Sequence, residues 1–116
     1  MAIRDAGKLN RLVTIEKPVD TPDGAGGYTR NWVKVGTAKV QATPIAGKEQ
    51  ILAEIPRATQ PWRIEMRWRA DLAGAEGTSY RMTADWLPGR HLAIQSVADP
   101  AGTRRWLVLF AEAVAF

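Results

Sequence analysis

Residues 61–69 read PWRIEMRWR. Trp62, Ile64, Met66 and Trp68 alternate with Arg63, Glu65, Arg67 and Arg69, which is the period of a strand and not of a helix. One face carries two indoles and two aliphatic groups, the other three guanidiniums and one carboxylate. The alternation predicts tryptophans in a core and arginines outside it. A single-strand binder stacks bases on rings that lie in a basic groove, so it needs ring and charge on the same side. This strand separates them, which leaves only sequence-blind contact with phosphate as its nucleic-acid reading.

Outward from that strand, short apolar runs recur between turn signals. RLVTIE (11–16) alternates Val13 and Ile15 against Leu12, Thr14 and Glu16, is rich in β-branched residues, and predicts a strand that stops at Pro18. PVDTPDGAGGYT (18–29) then reads as a loop or wide hairpin. Its glycines lack the strand, helix and Lys-Ser/Thr context of a phosphate cradle. YTRNWVKV (28–35) predicts a second strand, neither side of it cleanly apolar. TAKVQATPI (37–45) predicts a third, with Ala38, Val40 and Ala42 on one side.

Residues 44–60 form a long connection with a short helix or extended flap. In GKEQILAEI, Ile51, Leu52 and Ile55 fall at helical spacing, but for about two turns only, too few to persist undocked. Connections beyond about 12–15 residues are uncommon in compact domains and are usually functional or mobile.

DLAGAEGTS (71–79) reads as a turn, SYRMTADW (79–86) and HLAIQSVA (91–98) as strands, and DPAG (99–102) as a turn. TRRWLVLFAEAVAF (103–116) predicts a long strand. Trp106, Val108 and Phe110 oppose Leu107 and Leu109, so both sides are apolar and the strand should be central or covered on both faces. The expectation is a single all-β domain over residues 1–116. It is a small antiparallel β-barrel or sandwich of about six to seven strands, with the long loop or short helix between strands 3 and 4.

A chain of 116 residues is long enough to bury one core without staples. With no cysteine it cannot build a disulfide scaffold, a thiolate metal site or a cysteine nucleophile. Its formal charge is +4, and its pI near 9.9 is in the range of nucleic-acid binders, although so small a surplus also serves solubility alone. The start, MAIRDAGKLN, has no apolar signal core, and no apolar run approaches the roughly 20 residues of a membrane span, so the reading is a soluble chain with no membrane contact.

Chemistry-bearing residues are sparse. His91 is the single histidine, and neither Ser79 nor Ser96 has a nucleophile-elbow sequence around it. Asp20 and Asp23 lack calcium-loop spacing, and Glu49 and Glu54 read as solvated acids. No catalytic, metal or cofactor residue is expected, and the chain does not read as an enzyme.

The order of these strings resembles one family. AGKLNRLVTIEKP, DGAGGYTRNW, AKVQATPIAGKE, TQPWRIEMRWR and IQSVADPAGTRRWLVLFAE follow one another as in the head–tail adaptor, or head-completion (stopper), proteins of long-tailed phages and gene-transfer particles. Matching positions are Ala6, Gly7, Leu9, Arg11, Thr14 and Ile15; Asp23, Gly26, Gly27 and Trp32; and Pro44, Gly47 and Glu49. They continue through Arg63, Ile64, Arg67 and Arg69 to Ile94, Ser96, Val97 and Asp99. The tract ADLAGAEGTSYRMTADWLPGRH (70–91) is longer than the pattern expects, and AVAF (113–116) is an added apolar tail whose Phe116 is expected to contact a subunit or partner.

The resemblance implies a small β-barrel that assembles as a homo-oligomeric ring at the head–tail junction of a virion or phage-like particle, put together in the host cytoplasm. A portal or adaptor ring would lie above it and a tail terminator or tail tube below. It implies a stopper that helps retain packaged DNA, with non-specific contact to DNA in the channel. The 44–60 connection would project as the channel loop, carrying Lys48, Glu49, Gln50, Ile51, Leu52, Glu54 and Arg57. Arg63, Arg67 and Arg69 would face a neighbouring subunit or the channel. Two other readings stay open: a nucleic-acid-binding barrel, and a tail-terminator ring protein.

Overall fold

A computed structural model describes residues 8–45, 60–74 and 77–116. Six strands carry the fold: β1 (Arg11–Pro22), β2 (Tyr28–Pro44), β3 (Gln60–Arg67), β4 (Arg81–Thr83), β5 (Arg90–Ala98) and β6 (Trp106–Ala115). A one-turn helix, α1 (Ala70–Ala73), and a 3-10 turn (Gly77–Ser79) lie between β3 and β4. The strands pair antiparallel in the order β1-β2-β3-β6-β5-β4, and β4 returns to β1, closing a barrel. Closure leaves no free edge within the wall, the usual hazard of an all-β domain.

Period-2 patterning fills the barrel. Val13 and Ile15, Val40, Ile64 and Met66, Met82, Leu92 and Ile94, and Leu107, Leu109, Ala111 and Ala113 all point inward and are buried. Leu72 of α1 is fully buried on the same core. Two bulges shift the phase. Val35 is the extra residue opposite Ile15 and Glu16, and Gln95 the extra one opposite Phe110 and Ala111. Val35 and Val97 therefore reach the core out of step with Val40 and with Ile94 on their own strands.

The structure departs from the sequence reading in several places. β1 does not stop at Pro18 but runs to Pro22, and the turn is confined to residues 23–27. The second and third expected strands are one, β2, passing through Gly36, so the count among the described residues is six. The 79–86 strand shrinks to Arg81–Thr83, the last strand begins at Trp106, and 71–79 contains α1 and the 3-10 turn. Strand β6 is buried on one side only: Leu107 and Leu109 are inside, while Phe110 is 38% exposed on the outside.

Pro18 is tolerated for a geometric reason. The Asp23 N–H donates to the Gly27 carbonyl at 3.1 Å, and counting back through the register makes Pro22↔Tyr28, Asp20↔Arg30 and Pro18↔Trp32 the non-hydrogen-bonded pairs. Pro18 and Pro22 thus lack an N–H only on the outer edge of β1. The pairs from Lys17↔Val33 to Pro22↔Tyr28 lie beyond the last pairing of β1 with β4, so the hairpin continues past the barrel as a two-stranded ribbon.

Candidate functional site

Strand β3 behaves as its alternation predicts. Arg63 and Arg67 are exposed and Glu65 half-buried on the outer wall, while Ile64 and Met66 are inside. Trp62 and Trp68 are half-buried against the core. The Trp62 ring tilts against Trp86 at 5.5 Å, and Trp86 Nε1 donates to the Leu12 carbonyl at 2.9 Å. Register then sets Arg63 beside Phe110, Glu65 beside Val108 and Arg67 beside Trp106. The outer wall of β3 and β6 is therefore a strip of alternating charge and apolar surface.

Arg69 differs from its two neighbours. Its Nε and Nη2 donate to both carboxylate oxygens of Asp71, at 3.1 and 3.0 Å, and Nη1 donates to the Thr37 carbonyl at 3.4 Å. That hydrogen bond holds the Asp71 carboxyl below its ordinary value and raises the Arg69 guanidinium above its own. The fork of Arg69 is spent within the chain, tying the segment after β3 to β2.

Beyond the end of β3, the loop that precedes β6 brings more arginine to the same place. The Trp68 N–H donates to the Arg105 carbonyl at 3.0 Å, fixing the two segments together. The Arg104 guanidinium lies 5.9 Å from the Trp68 ring centre, and that of Arg67 lies 5.4 Å from the Trp106 ring centre. Arg67, Trp68, Arg104, Arg105 and Trp106 line an open cleft of 550 Å³. Sequence reasoning separated ring from charge on β3 and missed this cluster, because its second ring and two of its guanidiniums come from 104–106. The adjacent letters TRRW were the available signal.

At the C-terminus, Phe116 is 70% exposed. Its ring is 5.3 Å from that of His91, and the Arg81 guanidinium is 5.2 Å from its centre. His91 has its Nδ1 buried without a hydrogen-bond partner among the described residues. Burial, and then the nearby charge of Arg81, lower its pKa below the ordinary histidine value, so the ring is neutral at pH 7.

The expected channel-loop residues Lys48, Glu49, Gln50, Ile51, Leu52, Glu54 and Arg57 lie outside the described residues. The two ends of their connection are described, and they meet. The Ile45 N–H donates to the Pro61 carbonyl at 3.0 Å, and Gln60 Nε2 donates to the carbonyls of Ile45 at 3.3 Å and Pro61 at 2.8 Å. The described ends of the connection thus meet at one clamped point between β2 and β3.

The barrel is similar to solved structures. A chain in the virion of a native gene transfer agent (GTA) particle matches with a TM-score of 0.66 at 26% identity, over 92% of this chain and 96% of that one. The solution structure of protein SF1141 from Shigella flexneri 2a matches with a TM-score of 0.70 at 24% identity, over 95% and 96% respectively, and shows the shared fold. No curated protein matches the sequence. The family model described as phage head completion protein matches residues 4–114, nearly the whole chain. The chain therefore belongs to the phage head completion protein family, and its role is a structural one in completing the head of a phage-type particle.

Proposed function

We propose that the protein is a stopper: a head-closure ring built from copies of this barrel, which joins the portal–adaptor complex to the tail and holds packaged DNA in the head without catalysis. The observation that carries this reading is the clamp at Ile45, Gln60 and Pro61, in a chain of the head completion family. In this reading the 44–60 connection, whose described ends meet on the wall, projects from it at that point. Repeated around an axis, such connections converge on a channel.

The outer surface suits a ring as well. Closed rings need heterologous faces, one surface patch meeting a different one on the next copy. The strip of Arg63 and Phe110 is one such patch, since arginine and aromatic residues are enriched at protein interfaces. The ribbon is another. Its β2 edge offers the outward backbone groups of Tyr28, Arg30 and Trp32, whereas Pro18 and Pro22 blunt the β1 edge.

The test is to mix the purified chain with DNA-filled, tailless heads. Binding to the portal vertex together with slower DNA release is the expected result. No affinity for portal–adaptor complexes, with heads that keep their DNA equally well in its absence, would remove the proposal.

A further inference from the structure

We propose that the cleft formed by Arg67, Trp68, Arg104, Arg105 and Trp106 is a binding site for the phosphodiester backbone of DNA. This rests on the head-closure reading for the identity of the polyanion and goes beyond it in naming the residues that touch it.

Two of the three guanidiniums lie over rings, Arg104 at 5.9 Å from the centre of Trp68 and Arg67 at 5.4 Å from that of Trp106. Attraction to the ring helps to hold each guanidinium in place, and its N–H groups can still donate to an oxyanion. None of the three forms an ion pair with a carboxylate among the described residues; the acid nearest in sequence to Arg69, Asp71, is occupied by it. The cleft therefore concentrates positive charge that no carboxylate pairs with among the described residues.

The backbone is committed to this arrangement. Arg104 has φ of 57°, the left-handed region that non-glycine residues rarely adopt. It is held there by its N–H donating to Asp99 Oδ2 at 2.9 Å, on a turn closed by Gly102 N–H to the Asp99 carbonyl at 3.1 Å. The turn fixes where the Arg104 side chain leaves the β5–β6 connection. Here it sets Arg104 against Trp68.

A phosphodiester chain is the polyanion that matches. Duplex DNA carries one charge per about 1.7 Å of its axis, so adjacent phosphates can meet all three guanidiniums at once. A protein partner would need a run of consecutive acids to do the same. Guanidiniums in an open cleft carry no base-edge geometry, so the contact is blind to sequence.

The experiment is fluorescence anisotropy of a labelled 20-base-pair duplex of about the length of two helical turns, titrated with the purified chain across a salt series. The expected binding weakens with salt. Arg104→Glu/Arg105→Glu should lower affinity at least tenfold and flatten the log–log salt slope by about 2, since each lost phosphate contact removes roughly 0.9. Lys17→Glu/Arg90→Glu makes the same change in net charge away from the cleft and should leave the slope near that of the unaltered chain. Circular dichroism melts of both variants confirm folding.

Equal losses in the two variants would assign binding to net charge and overturn the site. So would no binding at about 100 μM protein in low salt. Displacement of DNA by an oligoglutamate of equal charge at lower concentration would make the cleft a carboxylate site for a protein partner, and would overturn it too. Failure here leaves the head-closure proposal to be decided by DNA release from particles, which does not depend on this titration.

Discussion

The Arg81 guanidinium lies 4.3 Å from the centre of the Trp32 ring. The same group donates through Nε to Glu16 at 2.7 Å and reaches the Phe116 ring at 5.2 Å. One side chain of the shortest strand thus joins β1, the foot of the projecting ribbon on β2, and the C-terminus. An isolated two-stranded ribbon is marginal in water, so its foot needs such an anchor.

Replacing Arg81 with Met should therefore cost about 2 kcal/mol, from a half-buried ion pair left without its cation and from lost guanidinium–ring contacts. Urea denaturation gives the number. Limited proteolysis should show earlier cleavage in 17–33 than in the unaltered chain. Equal proteolysis of both would mean that the ribbon is held by its own hydrogen bonds.

Neighbouring residues on β6 should part company. Leu109 is fully buried inside the barrel, and Leu109→Ala should cost about 2–5 kcal/mol. Phe110, partly exposed on the outer wall, should tolerate Phe110→Ser with a near-normal melting temperature while binding to the portal vertex falls. Thermal melts and a head-binding assay on the two variants measure the split.

His91 gives stability a pH dependence. Its folded pKa is lowered from the ordinary histidine value of 6.5 by burial and by the charge of Arg81. A group with a lowered folded pKa binds protons more readily when unfolded, so its contribution is complete above 6.5 and declines as pH falls through that value towards the folded one. Stability should thus drop between neutrality and mildly acidic pH, and His91→Gln should flatten that part of the curve. Denaturation midpoints across the range, for both chains, test it.

Gly77 marks a close approach. A Cβ there would run into the Leu72 carbonyl, which is backbone and cannot step aside. Gly77→Ala should cost about 1–3 kcal/mol by the rule for overpacked sites, read from a urea midpoint. A neutral result would mean that the segment between α1 and β4 relaxes freely.

Much of this architecture is legible in the letters. Strict alternation in 62–67 separates inside from outside, and the prediction of arginines on the outer wall follows from the period alone. The limits of β1 were not legible, because proline ends a strand only where its N–H is required, and that depends on register. The join of two expected strands into β2 was hidden by the Val35 bulge, which scrambles the alternation around Gly36. The Arg–Trp cleft was hidden for another reason: Arg67 and Trp106 are distant in sequence and meet only when β3 pairs with β6. The apolar outer face of β6 was legible, but whether it is covered by this chain or by a neighbour was not.

The most direct test of the central claim is cryo-electron microscopy of the assembled, DNA-filled particle. The stopper proposal predicts a ring of these barrels between the portal–adaptor complex and the tail, with the 44–60 connections directed towards the channel axis. Finding the barrel at the tail-terminator position, or finding filled heads closed at the junction without it, would contradict the proposal.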